Sequence, residues 1–366
     1  MIPQTNPRAQ YQMYKDEIDS AIQKTLNSGL YILGAEVEAF ENAFSSYIGC
    51  EYSIGVGNGT DAIEIILKAL DVGKGDEVIT TSHTAVATIV GIISAGATPV
   101  LIDVSLEDYL MDVSCIESAI SPRTKAIMPV HLYGKPANLQ ALIALAKRYE
   151  VFLVEDCSQA HGAMFLEKKV GSFGIASAFS CYPTKNLAAI GDAGVITTND
   201  SSLAQKMRRI RQYGWQSRNS SLEFGINSRL DEVQAAILSV KLKHLDTNNL
   251  RRREIAEIYK KKFEEIEIKI QKIEDSTISV FHQFVIQVDQ REKLISFLED
   301  RGISTAVHYP NPIAQMPGYS DKVKIVGSLS NAKVVSEQIL SLPMFPELND
   351  HEVEFVSDCV IDFMRH

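Results

Sequence analysis

The chain has 366 residues, of which 45% are hydrophobic and 22% are charged, and its formal net charge is −10. This composition is typical of globular proteins, and the length allows about two domains. The acidic balance argues against a protein that binds nucleic acid or anionic lipid, because both require a broad basic surface.

The cysteines and the N-terminus indicate the compartment. No two of the five cysteines are in C-x-x-C spacing, which predicts a reducing environment with neither a disulfide framework nor a zinc cluster. The N-terminal residues lack the apolar core of a signal peptide. The uncharged run 80–102 is broken at 94–99, so we interpret it as a buried helix followed by a buried strand. We therefore expect a cytoplasmic protein that does not bind a membrane.

The first 250 residues alternate short apolar strands with amphipathic helices, which predicts a mostly parallel sheet covered by helices on both faces. Predicted strands lie at 52–56, 77–81, 99–104, 125–131, 151–155, 177–180 and 194–198, and predicted helices include 61–70 and 138–149.

The pattern changes after two predicted long helices, 230–245 and 252–263, which together form a bent connector. The elements predicted beyond them are a strand at 282–288, a helix at 291–301 that ends at Gly302, a strand at 304–309, a loop at 310–317, and helices at 328–341 and 351–364. We predict a large α/β domain at 1–250, with an N-terminal helical segment, and a small α+β domain at 251–366.

A glycine-rich turn, Gly-Val-Gly-Asn-Gly-Thr-Asp-Ala at 55–62, follows the first strand and opens a helix. The free N–H groups of a first helical turn favour an anion and Thr60 adds a hydroxyl, so this turn is a candidate phosphate site. A plain turn in which Thr60 caps the helix is the alternative. A dinucleotide fingerprint is disfavoured, because the next strand ends at His83 without an acidic residue for the ribose.

Two charged residues follow buried strands further along the chain. Asp156 comes at the end of a strand, where ligands of parallel sheets bind, and capping of the following turn is the alternative. Lys185 follows strand 177–180 in an apolar, turn-rich segment, so it is a candidate imine-forming amine, and a surface lysine is the alternative. Together with the phosphate turn, these residues are the parts that a pyridoxal phosphate site requires.

Five motifs resemble, in sequence and order, those of the DegT/DnrJ-type nucleotide-sugar aminotransferases. They are the turn at 55–62, Pro-Val-His-Leu-Tyr-Gly at 129–134, Glu-Asp-Cys-Ser-Gln-Ala-His-Gly at 155–162, Ser-Cys-Tyr-Pro-Thr-Lys-Asn at 180–186 and Gly-Ile-Asn-Ser-Arg-Leu-Asp-Glu-Val-Gln-Ala-Ala at 225–236. The resemblance implies the fold-type-I pyridoxal phosphate architecture and a homodimer with shared active sites.

The resemblance also implies residue roles. Lys185 bonds to the cofactor and then moves a proton, and Asp156 pairs with the pyridine nitrogen. The other implied cofactor contacts are Gly59, Thr60 and Ser180 at the phosphate, Gln159 near the ring hydroxyl, His83 stacked on the ring, and Asn227 at the phosphate of the partner subunit. Tyr182, His161, His308 and Tyr309 are candidates for the sugar pocket, and no metal ion is expected.

Segments 82–88, 129–133 and 307–310 are most similar to the subgroup that aminates C3 of a dTDP-linked 3-keto-6-deoxyhexose with L-glutamate as donor. Amination at C4, a UDP-linked sugar, and the gluco or galacto configuration stay open. Lys185 argues against the related dehydrases, which have histidine in its place. A non-enzymatic cofactor-binding regulator is the other alternative, although neither end of the chain offers a basic helix-turn-helix.

Overall fold

The computed structural model of the protein describes residues 1–365. Their α-helices are α1 (Pro7–Met13), α2 (Lys15–Ser28), α3 (Ala35–Ile48), α4 (Gly59–Ala69), α5 (Val86–Ser94), α6 (Ile116–Ala119), α7 (Leu139–Arg148), α8 (Ser201–Ile210), α9 (Glu232–Phe263), α10 (Arg291–Glu299), α11 (Ser330–Gln338) and α12 (Asp350–Arg365). Their strands are β1 (Tyr52–Val56), β2 (Glu77–Thr81), β3 (Thr98–Ile102), β4 (Thr124–Ile127), β5 (Phe152–Asp156), β6 (Met164–Phe165), β7 (Lys168–Lys169), β8 (Ala176–Ser180), β9 (Gly194–Thr198), β10 (Trp215–Ser217), β11 (Ser220–Ser221), β12 (Lys269–Ile270), β13 (Thr277–Ile278), β14 (Phe284–Gln287), β15 (Lys324–Ile325) and β16 (Ile339–Leu342).

The central sheet has eight strands in the order β1-β9-β8-β5-β4-β2-β3-β15. Neighbours from β8 to β15 run parallel, whereas β9 is antiparallel to both β1 and β8. The predicted mostly parallel sheet is confirmed, and β1, β2 and β9 have the predicted bounds. The predicted strand 125–131 is shorter, because after Ile127 the chain makes only an isolated bridge, between Val130 and Asp156.

Helices cover both faces of this sheet because side chains of a strand point alternately to opposite faces. On β8 and β9, Ala178 and Ile196 pack into the core cluster that contains α4 and α8. Their neighbours Phe179 and Val195 pack into the opposite cluster, with α3 and α9. This arrangement confirms the predicted α/β fold. The predicted helix and strand within 80–102 are α5 and β3, and no helix within residues 1–365 is long and apolar enough to span a bilayer.

The connector from the sheet is one helix of 32 residues, α9, so the prediction of two separate helices is wrong. The polar segment around residue 248 suggested a break, but its side chains have partners inside the protein. Asn248 accepts a hydrogen bond from the Tyr14 hydroxyl at 2.8 Å, and Asn249 donates to the His161 carbonyl at 2.8 Å. Because buried amides are satisfied in this way, the helix continues through them.

The C-terminal region contains a three-stranded antiparallel sheet, β12-β14-β16, packed with α10 and α12. Gly302 follows α10 with a φ of +74°, as predicted. The helix predicted at 328–341 ends earlier, because the buried residues of β16 pair with β14 instead. The strand predicted at 304–309 is also wrong: only Ala306 pairs, with Ser341, and the chain then turns towards the central sheet. The domain boundary at residue 250 stays a prediction, since α9 runs through it.

Candidate functional site

A cavity of about 570 Å³ lies at the carboxyl ends of β5 and β8 and at the start of α4. Parallel sheets bind ligands at this edge. Nine of the twelve predicted site residues line the cavity: Gly59, Thr60, Asp156, Gln159, Ser180, Tyr182, Lys185, His308 and Tyr309.

The glycine-rich turn forms one wall of the cavity. Gly59 is the first residue of α4, and the preceding Asn58 caps the helix by accepting a hydrogen bond from the Asp61 N–H at 2.8 Å. A Cβ added to Gly59 would lie 2.7 Å from the Cβ of Ser180. Glycine therefore lets α4 approach β8, and the free N–H groups of the first helical turn meet the Ser180 hydroxyl at one place. This arrangement can bind a phosphate.

Asp156 is 3% exposed at the end of β5. Its Oδ2 accepts a hydrogen bond from the Thr88 hydroxyl at 2.8 Å, and its Oδ1 accepts one from the Ser158 N–H at 3.1 Å. Within residues 1–365 it forms no ion pair. A buried carboxylate normally has a cationic partner, so Asp156 fits a ligand that brings a positive charge, such as a protonated pyridine nitrogen. Thr88 was not predicted as a site residue. Its hydroxyl also lies 3.0 Å from the hydroxyl of Thr84, one helical turn earlier.

Lys185 lies in the turn after β8, where its N–H donates to the Tyr182 carbonyl at 2.8 Å. Its amine makes no hydrogen bond or ion pair with any other residue in the described part of the chain. Burial lowers the pKa of Lys185 to about 8, and attraction by Asp156 limits that decrease. A lysine of this kind has a larger neutral fraction near pH 7 than a surface lysine, which is what an imine-forming amine requires.

A hydrogen-bond chain holds Gln159 and Tyr309 in the cavity wall. The Gln159 Oε1 accepts from the Tyr133 N–H at 2.7 Å, and its Nε2 donates to the Tyr309 hydroxyl at 3.0 Å. The Tyr133 hydroxyl donates to the His308 carbonyl, so it accepts from the His83 Nε2, 2.8 Å away. Tyr133 was missed as a site residue, because nothing in its motif shows that its φ is +62° or that it contacts residue 308.

Three predicted site residues lie outside the cavity wall. His83 is buried behind it, and the centroid of its ring lies 6.3 Å from that of Tyr133 and 6.4 Å from that of Tyr309. His161 is also fully buried and packs near Phe179, and neither ring nitrogen has a hydrogen-bond partner within residues 1–365. Burial lowers the pKa of His161 to about 3, so the ring is neutral at physiological pH. Asn227 is exposed and pairs with Gln212. The roles of these three residues stay predictions.

A buried group that could resemble a metal site, His131, Glu155 and Cys157, has another explanation. The His131 Nδ1 accepts from the Ala137 N–H at 2.9 Å, so its Nε2 carries the proton and donates to Glu155 at 3.1 Å. Glu155 also accepts from the backbone N–H groups of Gly171 and Gly174. His131 and Glu155 are therefore engaged with each other and with the backbone, which accounts for their positions.

Comparisons with known proteins relate the chain as a whole to aminotransferases. The sequence profile described as the DegT/DnrJ/EryC1/StrS aminotransferase family matches residues 12–361. A dTDP-3-amino-3,6-dideoxy-alpha-D-galactopyranose transaminase from Aneurinibacillus thermoaerophilus is 44% identical, over 98% of this chain and 99% of its own. A pleiotropic regulatory protein from Geobacillus stearothermophilus is 42% identical, over 100% of this chain and 99% of its own. A crystal structure of S. venezuelae DesV in complex with a ketimine intermediate superposes with a TM-score of 0.97 at 40% identity. The match covers 100% of this chain and 99% of the DesV chain.

Proposed function

Because the chain belongs to the DegT/DnrJ/EryC1/StrS aminotransferase family, we propose that it moves an amino group from L-glutamate to C3 of a dTDP-linked 3-keto-6-deoxyhexose, giving a 3-amino-3,6-dideoxyhexose. The chain matches nearly the whole length of a relative named as a transaminase of a dTDP-linked 3-amino sugar. The observation that carries the proposal is a single cavity that holds an unpaired lysine, a buried aspartate without a cation and a phosphate-binding helix start.

Pyridoxal phosphate is the cofactor, as in the other aminotransferases of the family, and the residues fit it. We assign Lys185 to the covalent bond, Asp156 to the pyridine nitrogen, Gln159 to the ring hydroxyl, and the Gly59–Thr60 turn with Ser180 to the phosphate. When bound, the cofactor supplies an aldehyde that condenses with amines and a protonated ring that accepts electrons.

The protein contributes proton transfer and positioning. Lys185, once free as a neutral amine, takes a proton from the amino donor and later gives one to the sugar carbon. Asp156 would pair with the nitrogen of the ring and favour its protonated form, and the Thr88 hydroxyl, 2.8 Å away, fixes the orientation of the carboxylate. Tyr182, His308 and Tyr309 line the remainder of the cavity and are assigned to the sugar. For His161 and His83 we retain sugar binding and ring stacking as proposals that require a movement, since neither lines the cavity.

We further propose that the active unit is a homodimer in the cytoplasm. The exposed position of Asn227 supports a contact with the phosphate in the partner subunit, because this side chain is available to a second chain. All five cysteines are free, which is consistent with a reducing compartment.

Two alternatives have support. Amination at C4 would use the same cofactor residues, and only the sugar pocket would differ. The name of the Geobacillus relative favours a non-enzymatic regulator that binds pyridoxal phosphate. Lys185 and Asp156 at the cavity favour catalysis over regulation, since a regulator needs neither a proton carrier nor an electron sink.

The proposed function is tested with the purified chain, L-glutamate and a panel of dTDP- and UDP-linked 3-keto and 4-keto sugars. Formation of 2-oxoglutarate together with an NMR spectrum that shows nitrogen at C3 is the expected result. Nitrogen at C4 would reject the position of amination. Binding of pyridoxal phosphate without turnover of any of these sugars would favour the regulator.

A further inference from the structure

An acidic residue lies in the part of the cavity wall that we assign to the cofactor phosphate. Asp61 is the third residue of α4 and lines the cavity together with Gly59 and Thr60. A phosphate bound there is also negative, and two like charges at one helix start repel each other. In the described part of the chain, no cation pairs with Asp61, and its carboxylate contacts a hydroxyl instead. That hydroxyl therefore controls where the charge lies.

The hydroxyl belongs to Ser228, which is buried behind the glycine-rich turn. Its Oγ donates a hydrogen bond to the Asp61 Oδ2 at 2.6 Å and accepts one from the Gly57 N–H at 2.9 Å. A hydroxyl has one proton to donate, so the proton of Ser228 is committed to the carboxylate. Ser228 thus joins the strand end before α4 to the acidic residue in its first turn.

The position of Ser228 is itself fixed by the backbone. Its N–H donates to the Arg211 carbonyl at 2.9 Å. The guanidinium of Arg211 is buried and donates to the Gly55 carbonyl at 2.7 Å and to the Glu41 carboxylate at 2.5 Å. The turn is therefore held at Gly55 by Arg211 and at Gly57 by Ser228, and the hydroxyl has a set place relative to the first turn of α4.

We propose that Ser228 is a positioning residue for the cofactor phosphate, because it keeps the Asp61 carboxylate from the N–H groups that the phosphate needs. An acidic side chain at the third position of a helix can reach back to a backbone N–H at the helix start. Without the hydroxyl, Asp61 is free to do so and competes with the phosphate as an anion. Ser228 does not line the cavity and acts through Asp61.

The proposal rests on the proposed function, which assigns this turn to the phosphate of pyridoxal phosphate. The test therefore compares pyridoxal phosphate with pyridoxal, which has the same aldehyde for Lys185 but no phosphate. The full chain without cofactor is titrated with each ligand and followed by absorbance. Ser228→Ala should raise the dissociation constant of pyridoxal phosphate about tenfold, which corresponds to about 1.4 kcal/mol. The dissociation constant of pyridoxal should stay within about twofold of the wild-type value.

Ser121→Ala is a matched control. The Ser121 hydroxyl also donates to a carboxylate, that of Glu77 at 2.7 Å, and accepts from a backbone N–H, that of Arg123 at 3.1 Å. Ser121 does not line the cavity. The control should bind both ligands as the wild type does. A solely structural role of Ser228 would weaken both ligands equally or neither, and either result overturns the proposal.

A second variant tests the competition by Asp61. Asp61→Asn removes the charge, so the double variant Ser228→Ala/Asp61→Asn should regain most of the affinity for pyridoxal phosphate that Ser228→Ala loses. Asp61→Asn alone should bind pyridoxal phosphate at least as tightly as the wild type. Contacting residues of this kind give non-additive effects. A double variant as weak as Ser228→Ala, or a single Asp61→Asn variant that binds more weakly than the wild type, overturns the proposal.

A measurement on the wild type does not depend on whether the variants fold. A crystal structure with bound cofactor should show the Asp61 carboxylate still on the Ser228 hydroxyl, and a carboxylate on the N–H of Gly59 or Thr60 would overturn the proposal. If the wild type bound pyridoxal and pyridoxal phosphate equally, the phosphate site of the proposed function would fail, and the role of Ser228 with it. If the wild type and Ser228→Ala preferred pyridoxal phosphate to the same degree, only the role of Ser228 would fail.

Discussion

The close contact between Gly59 and Ser180 predicts the effect of one methyl group. In Gly59→Ala, the new Cβ would lie 2.7 Å from the Cβ and 3.0 Å from the Cα of Ser180. Carbon atoms pack at about 3.5–4.0 Å, so an overlap of about 1 Å must be relieved by moving α4 away from β8. Alanine is the better helix former, so a loss of stability cannot come from helix propensity.

The size of the effect follows from the overlap. An extra methyl group in a tightly packed site costs about 1–3 kcal/mol. The displaced turn also loses contacts with the phosphate, and each 1.4 kcal/mol lost raises the dissociation constant about tenfold. We therefore expect Gly59→Ala to weaken pyridoxal phosphate binding by about tenfold or more and to lower the free energy of unfolding by about 1–3 kcal/mol.

Cofactor affinity is measured by absorbance titration of the cofactor-free chain, and stability by urea denaturation. The matched control is Gly318→Ala, because Gly318 is exposed and an added Cβ there meets no atom within 4 Å. The control should change stability by no more than about 0.5 kcal/mol. If Gly59→Ala bound the cofactor as tightly as this control, the assignment of the turn to the phosphate would be refuted.

Four more predictions concern the site. Lys185→Ala should abolish turnover, and borohydride treatment should link the cofactor to residue 185 in the wild type only; labelling at another lysine would reject the assignment. Asp156→Asn should lower kcat by about 10²–10³-fold, the usual effect of removing one electrostatic contact to a transition state, and full activity would rule out its role. Because burial lowers the pKa of His161 to about 3, the unfolded state takes up this proton first as the pH falls below about 6.5. His161→Phe should therefore flatten the acid loss of stability in urea denaturation by up to about 1.4 kcal/mol per pH unit, and an unchanged slope would show that the ring is not buried. Mixing inactive Lys185→Ala chains with Asn227→Ala chains should restore up to about a quarter of wild-type activity, because a mixed dimer has one intact site; no recovery would argue against shared sites.

Local patterns predicted the sheet well. Tyr52–Val56, Glu77–Thr81 and Gly194–Thr198 are short apolar segments bounded by turn residues, and each forms the expected strand. The helix α9 could not be predicted as one element, because its continuity depends on distant partners for Asn248 and Asn249. The two residues of β15 carry no periodic pattern at all.

The positions of the cavity residues along the chain could also be predicted, because ligand-binding residues follow the strands. The sequence does not show which of them touch. Gln159 meets Tyr309, 150 positions later in the chain, and this contact depends on the fold of the C-terminal region. The resemblance to the family implied that His83 stacks on the cofactor, but its contacts with Tyr133 and Ser336 hold it behind the wall of the cavity.

The pairing of Lys324–Ile325 with Val100–Leu101 has a consequence for dissecting the molecule. Without this short strand, β3 would present unpaired N–H and C=O groups at the edge of a seven-stranded sheet, and such edges recruit other chains. A fragment that stops after α9 would thus retain most of its hydrophobic interior and still be prone to aggregate. The C-terminal region therefore covers the edge of β3 at Val100–Leu101, in addition to completing the cavity.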